Sequence, residues 1–563
     1  MKRVKPGAAI LLLLGCLHAS ALDREAFTFT HYDLNVRVEP EQQRLAVRGK
    51  ITLRNDSSEP QRNLSLQISS SLSWRSIRAG SKAVEFLSQP YVSDIDHTGS
   101  LSEAIVSLPQ AVPPKQSVEL EIGYEGVIPL DTTRLTRIGA PADAAKHSDW
   151  DQIGRNFSAV RGIGYVAWYP VATEAASLAD ENSVFDAVGR WKLRNFESSM
   201  AVSFQATPGQ QLWFSGETVA SKAGDASPSF RIASMGSEVP SFAIGNYQEP
   251  QSGDTVSIAY LSGSAEAAKE YALAADLGAN FVADWFGAAK EKAVVVELAD
   301  AQAAPFEDGS ALMMPLAAGT DSRLLQMTAV HQLTHAALPS PRPWIYEGAA
   351  HFAQAVYREL LGSRADAIAF MGLHGIGVVE MEKALGKNPE AATADSLIQT
   401  NLPELYRGKA MYVWWMLRDM IGDAAVKKVL RAYRAENDKD PAYVQKLVAA
   451  GTKRDLEWFF DDWVYRDRGL PDFRVESAYP RATVGGGYIV TVTVENLGKA
   501  GAEVPVTIKV TGGEVTKRLE VRAKAKNSIR MEAPGTPLEV TINDGSVPES
   551  DTGNNSFKID LKH

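Results

Sequence analysis

Three textures of hydrophobic and polar positions follow one another along the chain. From Phe27 to about Tyr247, short runs alternate apolar and polar residues, as in Tyr32-Asp-Leu-Asn-Val-Arg-Val and Val118-Glu-Leu-Glu-Ile-Gly-Tyr, with Pro, Gly, Asn and Ser between the runs. Period-two alternation between turn residues predicts half-buried strands, hence a β-sandwich or a saddle-shaped sheet assembly. From about Ala265 to Asp467 the period becomes helical. Ala265 to Phe286 reads as a helix, Val294-Val-Val-Glu-Leu as a short strand, and Asp321 to Leu338 as a helix with Asp321 or Ser322 as its N-cap. Pro339, Pro341 and Pro343 end that helix, and a second begins near Pro343. Ala365 to Leu385 and Tyr406 to Ile421 are further apolar helical stretches, and Trp458-Phe-Phe-Asp-Asp-Trp463 closes the region. Alternation returns from Phe473, in Tyr488-Ile-Val-Thr-Val-Thr-Val, Val504-Pro-Val-Thr-Ile-Lys-Val and Leu538-Glu-Val-Thr-Ile, which predicts an immunoglobulin-like sandwich.

The expected organisation is multidomain α+β: a leader at 1–21, an N-terminal β domain at 22–250, a mixed α/β domain at 251–472 and a β module at 473–563. With 563 residues, of which 45% are hydrophobic, the chain is long enough for several cored domains. The net charge of -10 argues against nucleic acid as a partner, since a phosphate-binding surface needs a basic excess. Lys2, Arg3 and Lys5, the apolar run Ala8 to Leu17 and Ala19-Ser20-Ala21 form a signal-peptide pattern with cleavage before Leu22. That run is shorter than the roughly 20 residues a membrane-spanning helix needs. The expectation is export to a periplasm or the cell exterior, with no transmembrane segment. Leu13-Leu14-Gly15-Cys16 also fits a lipoprotein box, which would put a lipid on Cys16, the one cysteine of the chain. Cleavage after Ala21 would remove Cys16 and leave no disulfide.

His331-Gln-Leu-Thr-His335 carries the candidate chemistry. Residues four apart on a helix share one face, so both imidazoles can meet one metal ion. Glu347, at the start of the next helix, can supply a third ligand and leave the fourth position of a tetrahedral zinc ion open. His331, His335 and Glu347 are therefore the expected ligands of one zinc ion. The competing reading of the pair is two histidines on a partly buried helix face. In H-E-x-x-H enzymes the residue after the first histidine is the glutamate that acts as general base; here it is Gln332. An amide does not accept a proton near neutral pH, and loss of a general base costs about 10²–10⁴ in rate.

His331-Gln-Leu-Thr-His335-Ala with Trp344-Ile-Tyr-Glu347-Gly-Ala resembles the paired motifs of gluzincin metallopeptidases, most of all the aminopeptidase N type. The resemblance spans roughly residues 27 to 475 and includes Tyr32-x-Leu-x-Val, Gly49, Tyr124-x-Gly126 and Phe459-Phe-Asp-Asp-Trp463. It implies a saddle domain followed by a thermolysin-like catalytic domain, one zinc, and peptides or protein termini as partners. It also implies that Tyr406, in Tyr406-Arg-Gly-Lys-Ala, stabilises an oxyanion. The C-terminal region looks like an appended adhesion-type module ending in Glu549-x-x-x-x-Asn554-Asn555. Three departures separate this chain from the pattern: a shorter spacer between His335 and Glu347, Gln332 at the base position, and loss of the G-x-M-E-N anchor. The stretch matched to that anchor, Gly309-Ser310-Ala311 onward, is the candidate substrate-binding segment and lacks the glutamate that pairs with a substrate amine. Glu307 and Asp308 just upstream can replace it or be loop charges.

His351 and Gln354 follow Glu347 at i+4 and i+7 and are candidates to orient the ligands, and His351 is also the one nearby candidate for a replacement base. Tyr406 reads equally as a core aromatic. A serine-nucleophile elbow and a Walker loop are absent from the sequence, and the glycines of Gly372-Leu-His-Gly-Ile-Gly377 are in the wrong order for a dinucleotide fingerprint. Three functions remain: a zinc-binding pseudo-peptidase that binds peptides, an active but atypical zinc peptidase, and a surface protein that binds through its β regions.

Overall fold

A computed structural model describes residues 22–561 apart from 181–182, 206–208, 220–226, 237, 249–250, 290–291, 386–395, 399, 401 and 467. The leader pattern and Cys16 lie outside the described residues.

The alternating N-terminal runs do form strands. Phe27–Glu39 pairs antiparallel with Arg44–Asn55 and parallel with Ser199–Phe204, at the centre of an eight-stranded sheet. Its alternation sorts Leu34 and Val36 inward and Asp33 and Asn35 outward, as a half-buried sheet requires. Gly49 sits where a Cβ would come 2.1 Å from the Asp33 carbonyl oxygen, so this pairing tolerates no side chain there. Tyr32 and Tyr124 are fully covered and donate to the Pro170 and Trp168 carbonyls at 2.8 and 3.0 Å. A four-stranded and a three-stranded sheet complete this β region, and the helix Ser183–Arg194 lies within it.

The next region is α/β. Its five-stranded sheet runs Gln251–Ser252, Val256–Ala259, Ala293–Glu297, Ala311–Met314, Phe306–Asp308 in spatial order. The middle pairs are parallel, and helix Ala265–Phe286 makes the crossover between Val256–Ala259 and Ala293–Glu297. Phe306–Asp308 turns back antiparallel at the sheet's edge. The helices Ser322–Ala337, Pro343–Leu361, Arg364–Leu385 and Ala410–Ile421 follow, the last entered through a π-helical turn at Glu404–Lys409.

The C-terminal strands form sheets of three and four strands. They share one hydrophobic cluster with the helical region, from Val256 to Val547. Polar bonds add to the joint: the Trp463 indole donates to the Gly501 carbonyl at 2.7 Å, and Arg454 pairs with Glu503 at 2.6 Å. Glu549 closes the module by accepting from the Phe473 backbone N–H at 2.5 Å and from the Asn543 and Asn555 amides, both at 2.8 Å. Among the described residues no helix is long and apolar enough to cross a membrane. The structure is thus multidomain α+β, as the hydrophobic pattern predicts.

Candidate metal centre

The helix Ser322–Ala337 begins at Asp321, whose side chain accepts from the Arg323 and Leu324 N–H groups, both at 3.0 Å. From Ala329 to Ala337 every residue is buried, so the two histidines enter the protein interior rather than an open face. The i, i+4 spacing does what geometry asks: His331 Nε2 and His335 Nε2 stand 3.0 Å apart. The next helix, Pro343–Leu361, brings Glu347 to them, with Oε2 3.8 Å from His331 Nε2. Its placement depends on Gly348, where a Cβ would come 2.5 Å from the Ala410 Cβ of a neighbouring helix.

A second carboxylate joins this group. Glu307, on the edge strand, puts Oε2 3.2 Å from His331 Nε2 and 4.0 Å from His335 Nε2. The donor atoms of Glu307, His331, His335 and Glu347 all lie within 4.8 Å of one another. Tetrahedral zinc with bonds of about 2.0–2.1 Å sets neighbouring ligand atoms about 3.3 Å apart, and two imidazole nitrogens with carboxylate oxygens are donors zinc accepts. The cluster fits one zinc ion. Among the described residues His331 Nδ1 and His335 Nδ1 are buried without a hydrogen-bond partner, and the Nε2 atoms are the ones that face each other and the carboxylates.

Electrostatics split the two histidines: against its burial, Glu307 and Glu347 push His331 up, so a metal ion that binds there displaces its proton. Burial, then the charge of His331, keeps His335 well below the usual imidazole range and therefore neutral. Burial alone would raise the Glu307 carboxyl, but the charge and hydrogen bond of His331, with the Arg407 guanidinium further off, more than offset it and hold it ionised. Arg407 Nε donates to Glu347 Oε2 at 3.2 Å and so fixes that carboxylate from outside. The Tyr346 ring stacks on His335 at 3.8 Å, while its hydroxyl donates to the Gly309 carbonyl at 2.6 Å.

Gln332 does not point into this cluster alone and unsatisfied. Its Oε1 accepts from the Tyr271 hydroxyl at 2.7 Å, and its Nε2 donates to the Val294 and Ser310 carbonyls at 2.8 and 3.1 Å. The side chain thereby ties the histidine helix to the strand Ala293–Glu297, to the hairpin turn at Ser310 and to the crossover helix.

The remaining site residues of the sequence reading are dispersed around this core. His351 packs its ring 4.9 Å from that of His331, with Nε2 4.0 Å from Glu347 Oε2, and His374 packs 4.8 Å beyond it. Gln354 donates to the Met327 carbonyl at 3.0 Å and joins the two site helices rather than touching a donor. Tyr406 lies half-buried beside Arg407; burial pushes its phenol up to about 12, against the pull of that guanidinium. Gly309, Ser310 and Ala311 do not form the open edge: the first two give their carbonyls to Tyr346 and Gln332, and Ala311 pairs with strands on both sides. The free edge belongs to Phe306–Asp308.

Glu307 as a donor, Arg407, Tyr271 and His374 escaped sequence reasoning. One signal did exist. Gly309-Ser310 is a hairpin-turn dipeptide, and Gly309 takes φ +59 in the two-residue turn that folds Glu307 back onto the sheet.

No protein-family model matches this chain, and no curated protein matches it. Among solved structures it is similar to the M1 zinc metallopeptidase of Deinococcus radiodurans at 15% identity and a TM-score of 0.45, covering 79% of this chain and 95% of that one. An alanine variant of that enzyme gives 16% identity and a TM-score of 0.46, with 80% and 97% covered. The same variant bound to a Tyr-Ser-Ala substrate gives 16% and 0.45, with 79% and 96% covered. The zinc assignment stands on the converging donor atoms themselves.

Proposed function

We propose that this chain is an exported zinc-binding protein of metallopeptidase design that binds peptides or protein termini and has lost normal hydrolysis. His331, His335 and Glu347 hold the metal; in hydrolytic zinc sites such a metal is a Lewis acid that lowers the pKa of a coordinated water. Peptide hydrolysis then needs a group that takes the proton from the attacking water. Gln332 occupies the place of that group. The observation that carries the reading is its bonding: both amide hydrogens go to the Val294 and Ser310 carbonyls and Oε1 to the Tyr271 hydroxyl. The residue is chemically unable to act as the base and is spent on holding the helix. The signal-peptide pattern supports export, and the resemblance of the His331 and Glu347 motifs to those of gluzincin metallopeptidases supports peptides as the ligand.

One observation favours the active but atypical alternative. Glu307 is a carboxylate 3.2 Å from a proposed ligand, and in that alternative it receives the proton. Turnover of a broad peptide library by zinc-loaded protein, beside His335→Ala, separates the two. The pseudo-peptidase reading expects no cleavage above the variant's background. Cleavage that disappears in His335→Ala would establish the alternative.

A further inference from the structure

We infer that Glu307 is a fourth protein ligand of the zinc, so that the centre is closed; this rests on the zinc reading above. The distances come first. Glu307 Oε2 is nearer His331 Nε2, at 3.2 Å, than Glu347 Oε2 is, at 3.8 Å. A carboxylate that served a substrate would stand back from the histidines and leave the fourth position open. This one is level with the other donors.

The scaffold around Glu307 fixes it there. Glu307 pairs with Leu312 in the hairpin. The preceding Phe306 ring packs edge-on against Tyr165 of the N-terminal β region at 5.3 Å. The following Asp308 accepts from the Val239 N–H of the same region at 2.7 Å. Gly309 is held by the Tyr346 hydroxyl, and the Tyr346 ring itself stacks on His335. The strand is therefore pinned by the N-terminal region on one side and by the ligand helix on the other. Donors on rigid elements make precise metal sites; donors on loose loops do not.

Charge points the same way. Glu307 and Glu347 bring two carboxylates to His331, and Arg407 touches Glu347 but not Glu307. Like charges held this close destabilise each other unless a cation lies between them. A divalent ion supplies it. Four protein donors fill a tetrahedral zinc ion, whereas catalytic sites supply three and keep one position for water. A closed centre also accounts for Gln332: where no water is bound, a general base has nothing to deprotonate, and the position is free to become a tie between helix and sheet.

The test probes the fourth position directly. Cobalt(II) is loaded in place of zinc, and the visible spectrum is followed as acetohydroxamate, a chelator that needs open coordination positions, is added. The inference expects an unchanged spectrum in the wild-type protein at millimolar probe. Glu307→Gln, close in shape to the native residue, is expected to keep the metal, bind it at least about tenfold more weakly, and show a spectral change with the probe. A wild-type spectrum that shifts as the variant's does would overturn the closed centre and leave the zinc reading standing. Failure of the wild-type protein to take up cobalt or zinc at all would instead overturn the zinc reading, and this inference with it.

Discussion

At the scale of single residues, Gln332 decides what the centre can do. Its amide is matched to its surroundings: two carbonyl acceptors meet its two hydrogens, and a hydroxyl donor meets its oxygen. Gln332→Glu would restore the familiar motif but set a carboxylate against the Val294 and Ser310 carbonyls. Two hydrogen bonds are lost and acceptor faces acceptor, at a cost of about 1–3 kcal/mol in stability. The expected result is a lower Tm with no gain of peptidase activity; a variant of native stability that cleaves peptides would refute the account of Gln332. The histidine pair, Glu347 and Gln332 were legible in sequence because helix spacing and a short proline-bearing turn determine where they point. The role of Glu307 was not, because it depends on how an edge strand folds back and which side chains of another region pin it. Tyr271 was hidden for the same reason: it reads as one more apolar position of an alanine-rich helix.

At the scale of elements, the site is a meeting of three: the histidine helix, the helix of Glu347 and the edge hairpin. Their boundaries were legible where caps and breakers mark them. Asp321 does cap the histidine helix, and Pro343 opens the next. The face of the histidine helix was less so, because burial on nearly all sides erases amphipathic contrast. The helix Ser183–Arg194 was missed within an otherwise alternating region, where strand texture on both sides masks a single helix. The contact between the Glu347 helix and the helix Ala410–Ile421 is tight at Gly348, where no room exists for a methyl group. Gly348→Ala is expected to push the helices apart, cost about 1–3 kcal/mol and weaken zinc binding by displacing Glu347. Thermal melting with and without zinc checks this: a zinc-dependent rise in Tm smaller than wild type agrees, and an unchanged rise refutes the packing argument.

At the scale of the whole molecule, the C-terminal strands share a core with the helical region, so the module is part of the body that carries the centre. Glu549 holds the module's ends together, and burial pushes its carboxyl up to about 7 in spite of three donors. A carboxyl raised from its ordinary value near 4.5 binds a proton more tightly folded than unfolded. Its contribution to stability is therefore full below about pH 4.5 and is lost as pH rises through about 7, a change of roughly 3 kcal/mol. Glu549→Gln removes the titrating group, so the fall in Tm between pH 5 and pH 8, about three units apart, should be smaller in the variant. Equal falls in both proteins would show that Glu549 is ionised throughout. The motif Glu549-x-x-x-x-Asn554-Asn555 was visible in sequence, but its work was not, because the groups it clamps, Phe473 and Asn543, are distant in the chain.

The central claim is that His331, His335 and the carboxylates beside them hold one zinc ion. Elemental analysis of the purified, tag-free protein beside His335→Ala tests it most directly. About one zinc per chain in the wild-type protein, lost in the variant, is the result predicted. No zinc in either, even after loading with excess zinc, would contradict the account and leave the four donors as a charge cluster without a metal.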